Sequence, residues 1–115
     1  MRRGEIRLVD LDPVRGAEAN KRRPGVIVSH DGANIAAQRL GRGVVTVVPI
    51  TSNRERVYPF QVLLRADETG IQRDSKAQAE QVRSVAVERI GARIGSVPPE
   101  RMALLDNALR IHLAL

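Results

Sequence analysis

The chain contains no cysteine and no tryptophan, and its only aromatic residues are Tyr58 and Phe60. Lack of cysteine excludes disulfides, thiolate zinc sites and cysteine nucleophiles. Two aromatics leave little material for the stacked-base platforms of many single-strand binders. No apolar run approaches the ~20 residues of a membrane span, and Met1-Arg2-Arg3-Gly4-Glu5 lacks the apolar segment of a signal peptide. A soluble cytoplasmic protein without membrane association is expected. His30 and His112 stand alone, with no His or carboxylate at ligand spacing on a shared element. That pattern argues against a zinc or two-metal nuclease, so no metal or other cofactor is expected. His112 reads as a polar position on a terminal helix and His30 as a strand-end surface residue, placements that suit an acid–base pair poorly.

What the chain does have is positive charge. Lys and Arg number 19 against 13 Asp and Glu, a formal net charge of +6. Only Lys21 and Lys76 are lysine; the other cations are Arg, whose planar fork matches phosphate oxygens in pairs. A polyanionic partner is favoured, although a GC-rich genome or a solvated cationic surface would also give this composition. At 115 residues the chain reads as one domain, 1–115, able to bury roughly two-thirds of its unfolded surface.

Two segments stand out. Lys21-Arg22-Arg23-Pro24-Gly25-Val26-Ile27-Val28-Ser29 delivers three cations to the mouth of an apolar strand and pins their backbone with proline. Val44-Val45-Thr46-Val47-Val48-Pro49-Ile50-Thr51-Ser52-Asn53 is an apolar strand that stops at hydroxyl and amide side chains. If the two strand ends meet, guanidinium, hydroxyl and amide converge on one spot suited to a phosphodiester.

Around them, Glu5 to Leu11 alternates imperfectly as a half-buried strand, and Val14 to Arg23 lacks either period and reads as a long loop. Pro24 to Ser29 and Gly43 to Ile50 are Val- and Ile-rich runs, the pattern of strands covered on both faces. Asp31 to Leu40 predicts a short helix with Asp31 as its N-cap. Further strands are expected over Tyr58 to Leu64, over Ala77 to Val87 as one piece, and around Ala92 to Val97. Pro98-Pro99-Glu100 opens a terminal helix. Met102, Leu105, Leu109 and Leu113 form one apolar stripe and Leu104, Ala108, Ile111 and Leu115 a second. One side can meet the sheet and the other a second subunit, or the helix is an ordinary buried terminal one. These elements predict a mainly β, α+β fold: a small, strongly curved antiparallel sheet or barrel with one inserted and one C-terminal helix. A doubly wound parallel sheet is disfavoured, because Gly43 to Val87 leaves no room for helices.

The order Glu5-Ile6, Val9-Asp10-Leu11-Asp12-Pro13, Gly16-Ala17-Glu18, Arg22-Arg23-Pro24, Val48-Pro49-Ile50-Thr51-Ser52, Tyr58-Pro59-Phe60 and Gln81-Val82-Arg83-Ser84 resembles the MazF/PemK (Kid) family of toxin endoribonucleases, with particular likeness to mycobacterial members. The likeness runs through nearly the whole chain. It implies an SH3-like barrel and a metal-independent, sequence-selective toxin that cuts single-stranded RNA (mRNA, tRNA or rRNA). It also implies a homodimer and neutralisation by an acidic, MazE-like antitoxin. The family's two catalytic positions fall on Arg23 and Thr51, its acidic loop residue on Glu18, and its glutamine and serine near the RNA path on Gln81 and Ser84. Lys21, Arg22, Ser52 and Asn53 are further RNA-binding candidates beside them. Two positions depart from the family pattern: Arg7-Leu8 stands where many relatives carry tryptophan, which bears on base stacking, and Gly25 follows Pro24 where a larger apolar residue is usual, which bears on local packing.

RNA supplies its own nucleophile, the 2′-hydroxyl, so the protein need only take its proton, stabilise the phosphorane oxygens and protonate the leaving 5′ oxygen. The products are a 2′,3′-cyclic phosphate and a 5′-hydroxyl. Arg23 suits charge stabilisation and Thr51 can hydrogen-bond a non-bridging oxygen, while neither is a comfortable base. Glu18 is the candidate base, with water or a transiently deprotonated Arg as the alternatives. Taken singly, Arg23 could be an ion-pair partner of Glu18, Thr51 to Asn53 could be turn residues, and Gln81 and Ser84 could be solvent-facing strand positions. A non-catalytic nucleic-acid-binding module and a CcdB-like gyrase poison are the rival functions. The latter depends on a tryptophan near the C-terminus, which this chain lacks.

Overall fold

A computed structural model of the chain describes residues 1–11 and 22–115. Its strands are β1 (Glu5–Asp10), β2 (Arg22–Ile27), β3 (Val44–Thr51), β4 (Gln61–Leu64), β5 (Ser75–Gln78), β6 (Arg83–Ala86) and β7 (Ile90–Ser96). Helices α1 (Asp31–Leu40), α2 (Ala66–Thr69) and α3 (Pro99–Leu113) lie between and after them. The sheet runs β4-β5-β3-β2-β1-β7, and β6 adds to β3 off that path. Every pairing is antiparallel. The path ends at β4 and β7 without joining them, so the sheet is curved but not a closed barrel.

The apolar runs of the central strands are explained by a core on each face. Ile6, Val26, Val48 and Ile50 point to a cluster completed by Val62, Leu64, Ala77 and by Leu105 and Ala108 of α3. Val9, Leu11, Ile27, Val45 and Val47 point to the other, completed by Ala37 of α1 and Val85 of β6. Strand alternation sends successive side chains to opposite faces, so a strand buried on both must be apolar throughout.

Several expectations need correcting. Arg22 and Arg23 are not loop residues: they open β2, paired with Asp10 and Val9. The single strand expected from Ala77 to Val87 is two, because the long edge of β3 takes two partners. β5 pairs with Ile50 and Thr51, β6 with Val44 to Val47, and a 3-10 turn over Ala79–Gln81 carries the chain from one to the other. The Tyr58 to Leu64 strand begins only at Gln61, since Pro59 offers no N–H and Gln61 N closes a turn on Tyr58 O at 2.9 Å. The interval from Gly43 to Val87 does hold a helix, the single turn α2. Helix α1 has His30, not Asp31, at its N-cap, with Nδ1 accepting from Gly32 N at 2.9 Å. Asp31 Oδ1 instead accepts from Arg3 N at 2.6 Å. Asn34 of α1 is fully buried. Among the described residues only one side of α3 is covered: Leu105 and Ala108 are buried, while Leu104, Ile111 and Leu113, and Leu115 beyond its end, are exposed. No helix is long and apolar enough to cross a membrane among the described residues.

Candidate active site

The two segments singled out in the sequence meet. β2 and β3 run antiparallel with Gly25 opposite Pro49, which brings the β2 end that carries Arg23 to the β3 end that carries Thr51. Both residues line one cavity of about 700 Å³ at that end of the sheet. Leu8 of β1, Pro24 of β2, Ile50 of β3, Ile94 of β7 and Ile71 give it apolar walls. Its polar lining comes from Arg23, Thr51, Ser52, Gln72, Arg73 and Ser75. Among the described residues two guanidinium-bearing side chains line this cavity and no carboxylate does, so the site favours an anion.

The hydroxyl of Thr51 is oriented by its own turn. Its Oγ1 accepts from Asn53 N at 3.2 Å, and Asn53 Oδ1 accepts from Glu55 N at 3.2 Å. With one lone pair engaged and no acceptor for its O–H among the described residues, Thr51 can donate to a guest. Thr51 is thus the last residue of β3, Ser52 and Asn53 lead out of it, and the Thr51 side chain lines the cavity.

The second wall, Gly70 to Arg73, is held by close packing. Gly70 closes α2 at φ 87°, and Gly95 of β7 lies so near the Thr69 carbonyl that any Cβ there would collide with it. Asp74 Oδ1 accepts from Ala66 N at 2.7 Å, and Ser75 Oγ donates to Arg73 O at 2.9 Å.

The remaining candidates fall elsewhere. Arg22 does not line the cavity; its guanidinium crosses β1 to lie over Gly91, where a side chain would displace it. Asn53 supports Thr51 without lining the cavity. Gln81 and Ser84 are exposed and outside it, with Ser84 paired to Thr46 near the opposite end of β3. Glu18 and Lys21 lie outside the described residues. In place of the relatives' tryptophan, Leu8 lines the cavity and Arg7 pairs with Glu5 at 2.9 Å. A Cβ on Gly25 would meet Val9 Cγ2 at 3.4 Å, ordinary contact, so the departure there is one of local packing. Tyr58 and Phe60 stack on each other at 5.2 Å with Arg56 over the Tyr58 ring, as turn residues. No three His, Asp or Glu side chains gather as a metal site among the described residues.

Gln72, Arg73 and Ser75 were not anticipated. The signal was available, because Arg73 stands just before β5 much as Arg23 stands at the start of β2. An isolated cation between Gln72 and Asp74 carries less weight than a run of three.

Comparison with known proteins adds an independent line. A family model described as PemK-like, MazF-like toxin of type II toxin-antitoxin system matches residues 2–113. Endoribonuclease MazF9 of Mycobacterium tuberculosis is 64% identical over 115 residues, covering 100% of this chain and 98% of the relative. Among solved structures, Mycobacterium tuberculosis toxin MazF-mt6 superposes with TM-score 0.77 at 23% identity, over 96% of this chain and 97% of that one. A mycobacterial endoribonuclease in complex with its cognate antitoxin superposes with TM-score 0.74 at 24% identity, over 100% and 96%. At these identities the two structures speak for the fold alone.

Proposed function

This chain belongs to the PemK-like, MazF-like toxins of type II toxin-antitoxin systems, and on that premise we propose that it is an endoribonuclease whose cavity at the end of β3 cuts single-stranded RNA. The observation that carries the reading is the union of Arg23 and Thr51 on one cavity that no described carboxylate lines. An apolar, partly enclosed wall strengthens the attraction of a guanidinium for phosphate beyond its value in water.

In the proposed reaction the substrate's 2′-hydroxyl attacks the adjacent phosphorus. Arg23 neutralises the charge that grows on the phosphorane oxygens. Thr51, its oxygen held by Asn53 N–H, donates to a non-bridging oxygen. Glu18 is the proposed base. Arg23 donates a proton late to the leaving 5′ oxygen while Glu18 holds the proton taken from the 2′-hydroxyl, and a 2′,3′-cyclic phosphate remains. Ser52 lies within reach of the same strand, and Gln81, Ser84, Arg22 and Lys21 are proposed contacts for nucleotides beyond the cavity.

The whole of 1–115 is read as one toxin domain. Its proposed partners are RNA, an acidic MazE-like antitoxin and a second copy of the chain, and its proposed setting is the cytoplasm. The exposed apolar side chains Leu104, Ile111 and Leu113 of α3 support a homodimer. Incubation of the purified protein with a long RNA in EDTA tests the function. Discrete fragments ending in cyclic phosphate and 5′-hydroxyl are expected; RNA that is retained but uncut would overturn the reading in favour of a binding module.

A further inference from the structure

The mechanism above leaves one guanidinium of the cavity idle. Arg73 is exposed, lines the cavity with Arg23, Thr51 and Ser52, and its side chain has no hydrogen-bond or ion-pair partner among the described residues. Several other arginines are matched: Arg3 meets Asp106 at 2.5 Å, Arg7 meets Glu5 at 2.9 Å and Arg101 meets Glu68 at 3.3 Å. The carboxylate nearest in sequence to Arg73 is engaged twice over. Asp74 Oδ1 accepts from Ala66 N at 2.7 Å and Oδ2 pairs with Arg54 at 3.7 Å. The Arg73 backbone is meanwhile fixed, its carbonyl accepting from Ser75 Oγ. A cation with a tethered backbone, an open head and a place in an anion-favouring cavity is arranged to take a ligand.

Position tells which ligand. Thr51 ends β3; Arg23 comes from β2 on one side of that strand, and Arg73 precedes β5, which pairs with β3 at Thr51 on the other. Arg23 and Arg73 thus reach the cavity from segments on opposite sides of Thr51. From this we infer that Arg73 holds an RNA phosphate next to the one being cut, as a substrate-binding residue that fixes the strand's register over Arg23 and Thr51. This rests on the endoribonuclease reading. A phosphate contact carries no base information, so Arg73 raises affinity alike for every sequence the enzyme accepts.

The test measures kcat and KM for wild type, Arg73→Ala and Arg73→Lys on a short RNA with one mapped cut, at several salt concentrations. The RNA is also made with each phosphate in turn replaced by a neutral methylphosphonate. Arg73→Ala should raise KM about tenfold or more with kcat unchanged. It should also lower the slope of log affinity against log salt by about 0.7. Arg73→Lys should recover part of the loss. One methylphosphonate flanking the cut should cost the wild type the same factor and Arg73→Ala nothing further. Unchanged KM and slope, a loss confined to kcat, or equal additivity at every phosphate would each overturn the assignment. A wild type that cuts no RNA would sink the endoribonuclease reading itself, a failure distinguishable because the others require an active wild type. The melting temperature of Arg73→Ala should match wild type, since the side chain has no partner among the described residues.

Discussion

The two ends of β3 are built from similar residues and do different things. At the Val44 end the strand is paired on β6, and Thr46 N donates at 3.0 Å to Ser29 Oγ. Ser29 donates in turn to the Asn34 carbonyl oxygen, and Asn34 Nδ2 returns a bond to Ser29 O at 2.8 Å. Hydroxyl and amide are spent there on closing the fold over buried polar atoms. At the Thr51 end, hydroxyl and amide are bonded within their own turn among the described residues, and Arg23 and Arg73 line a cavity. The same side-chain types are structural where their capacity is consumed internally and available for chemistry where some of it is left open.

That contrast can be broken from either end. The largest effect is expected at the open end. Arg23→Ala or Thr51→Ala should slow single-turnover RNA cleavage by about 10²–10³-fold while the variant still folds with a cooperative melting transition. A rate within a few-fold of wild type in either variant would remove the distinction. At the closed end the signs reverse. Asn34→Ala removes the acceptor of the Ser29 O–H and the side-chain donor to the Ser29 carbonyl, and should cost about 1–3 kcal/mol of stability. Thermal denaturation should show it, with cleavage intact well below the new midpoint. Gln81→Ala and Ser84→Ala sharpen the comparison, because both residues lie away from the cavity. As contacts for a longer strand, each should weaken binding of a long RNA roughly fivefold and leave a cavity-length oligonucleotide unaffected. Equal effects on both lengths would place these side chains at the cavity itself.

Much of this was legible in the chain. The Pro98-Pro99-Glu100 opening located α3, and the run from Asp31 to Leu40 located α1, because end signals act locally. The apolar strands were legible because two cores demand unbroken apolar runs. Arg23 and Thr51 were legible as residues at abrupt strand ends. What escaped depends on distant neighbours. Nothing between Ala77 and Val87 announces that β3 has room for two partners. Nothing in Asn34 says that Ser29 waits beneath it, and nothing in Arg73 says that Asp74 is already taken by Arg54 and Ala66. Arg22 shows the limit from the other side: a cation in the right cluster is turned away because Gly91 leaves it space across β1.

An unclosed sheet leaves outer strands whose free N–H and C=O groups could template association with other chains. Here β4 is only four residues long. β7 carries Gly91, Gly95 and Arg93, and its pairing with β1 is interrupted by register shifts. Brevity, an outward cation and a kinked backbone are poor templates for fibril growth, so stocks concentrated for crystallisation or storage should stay dispersed.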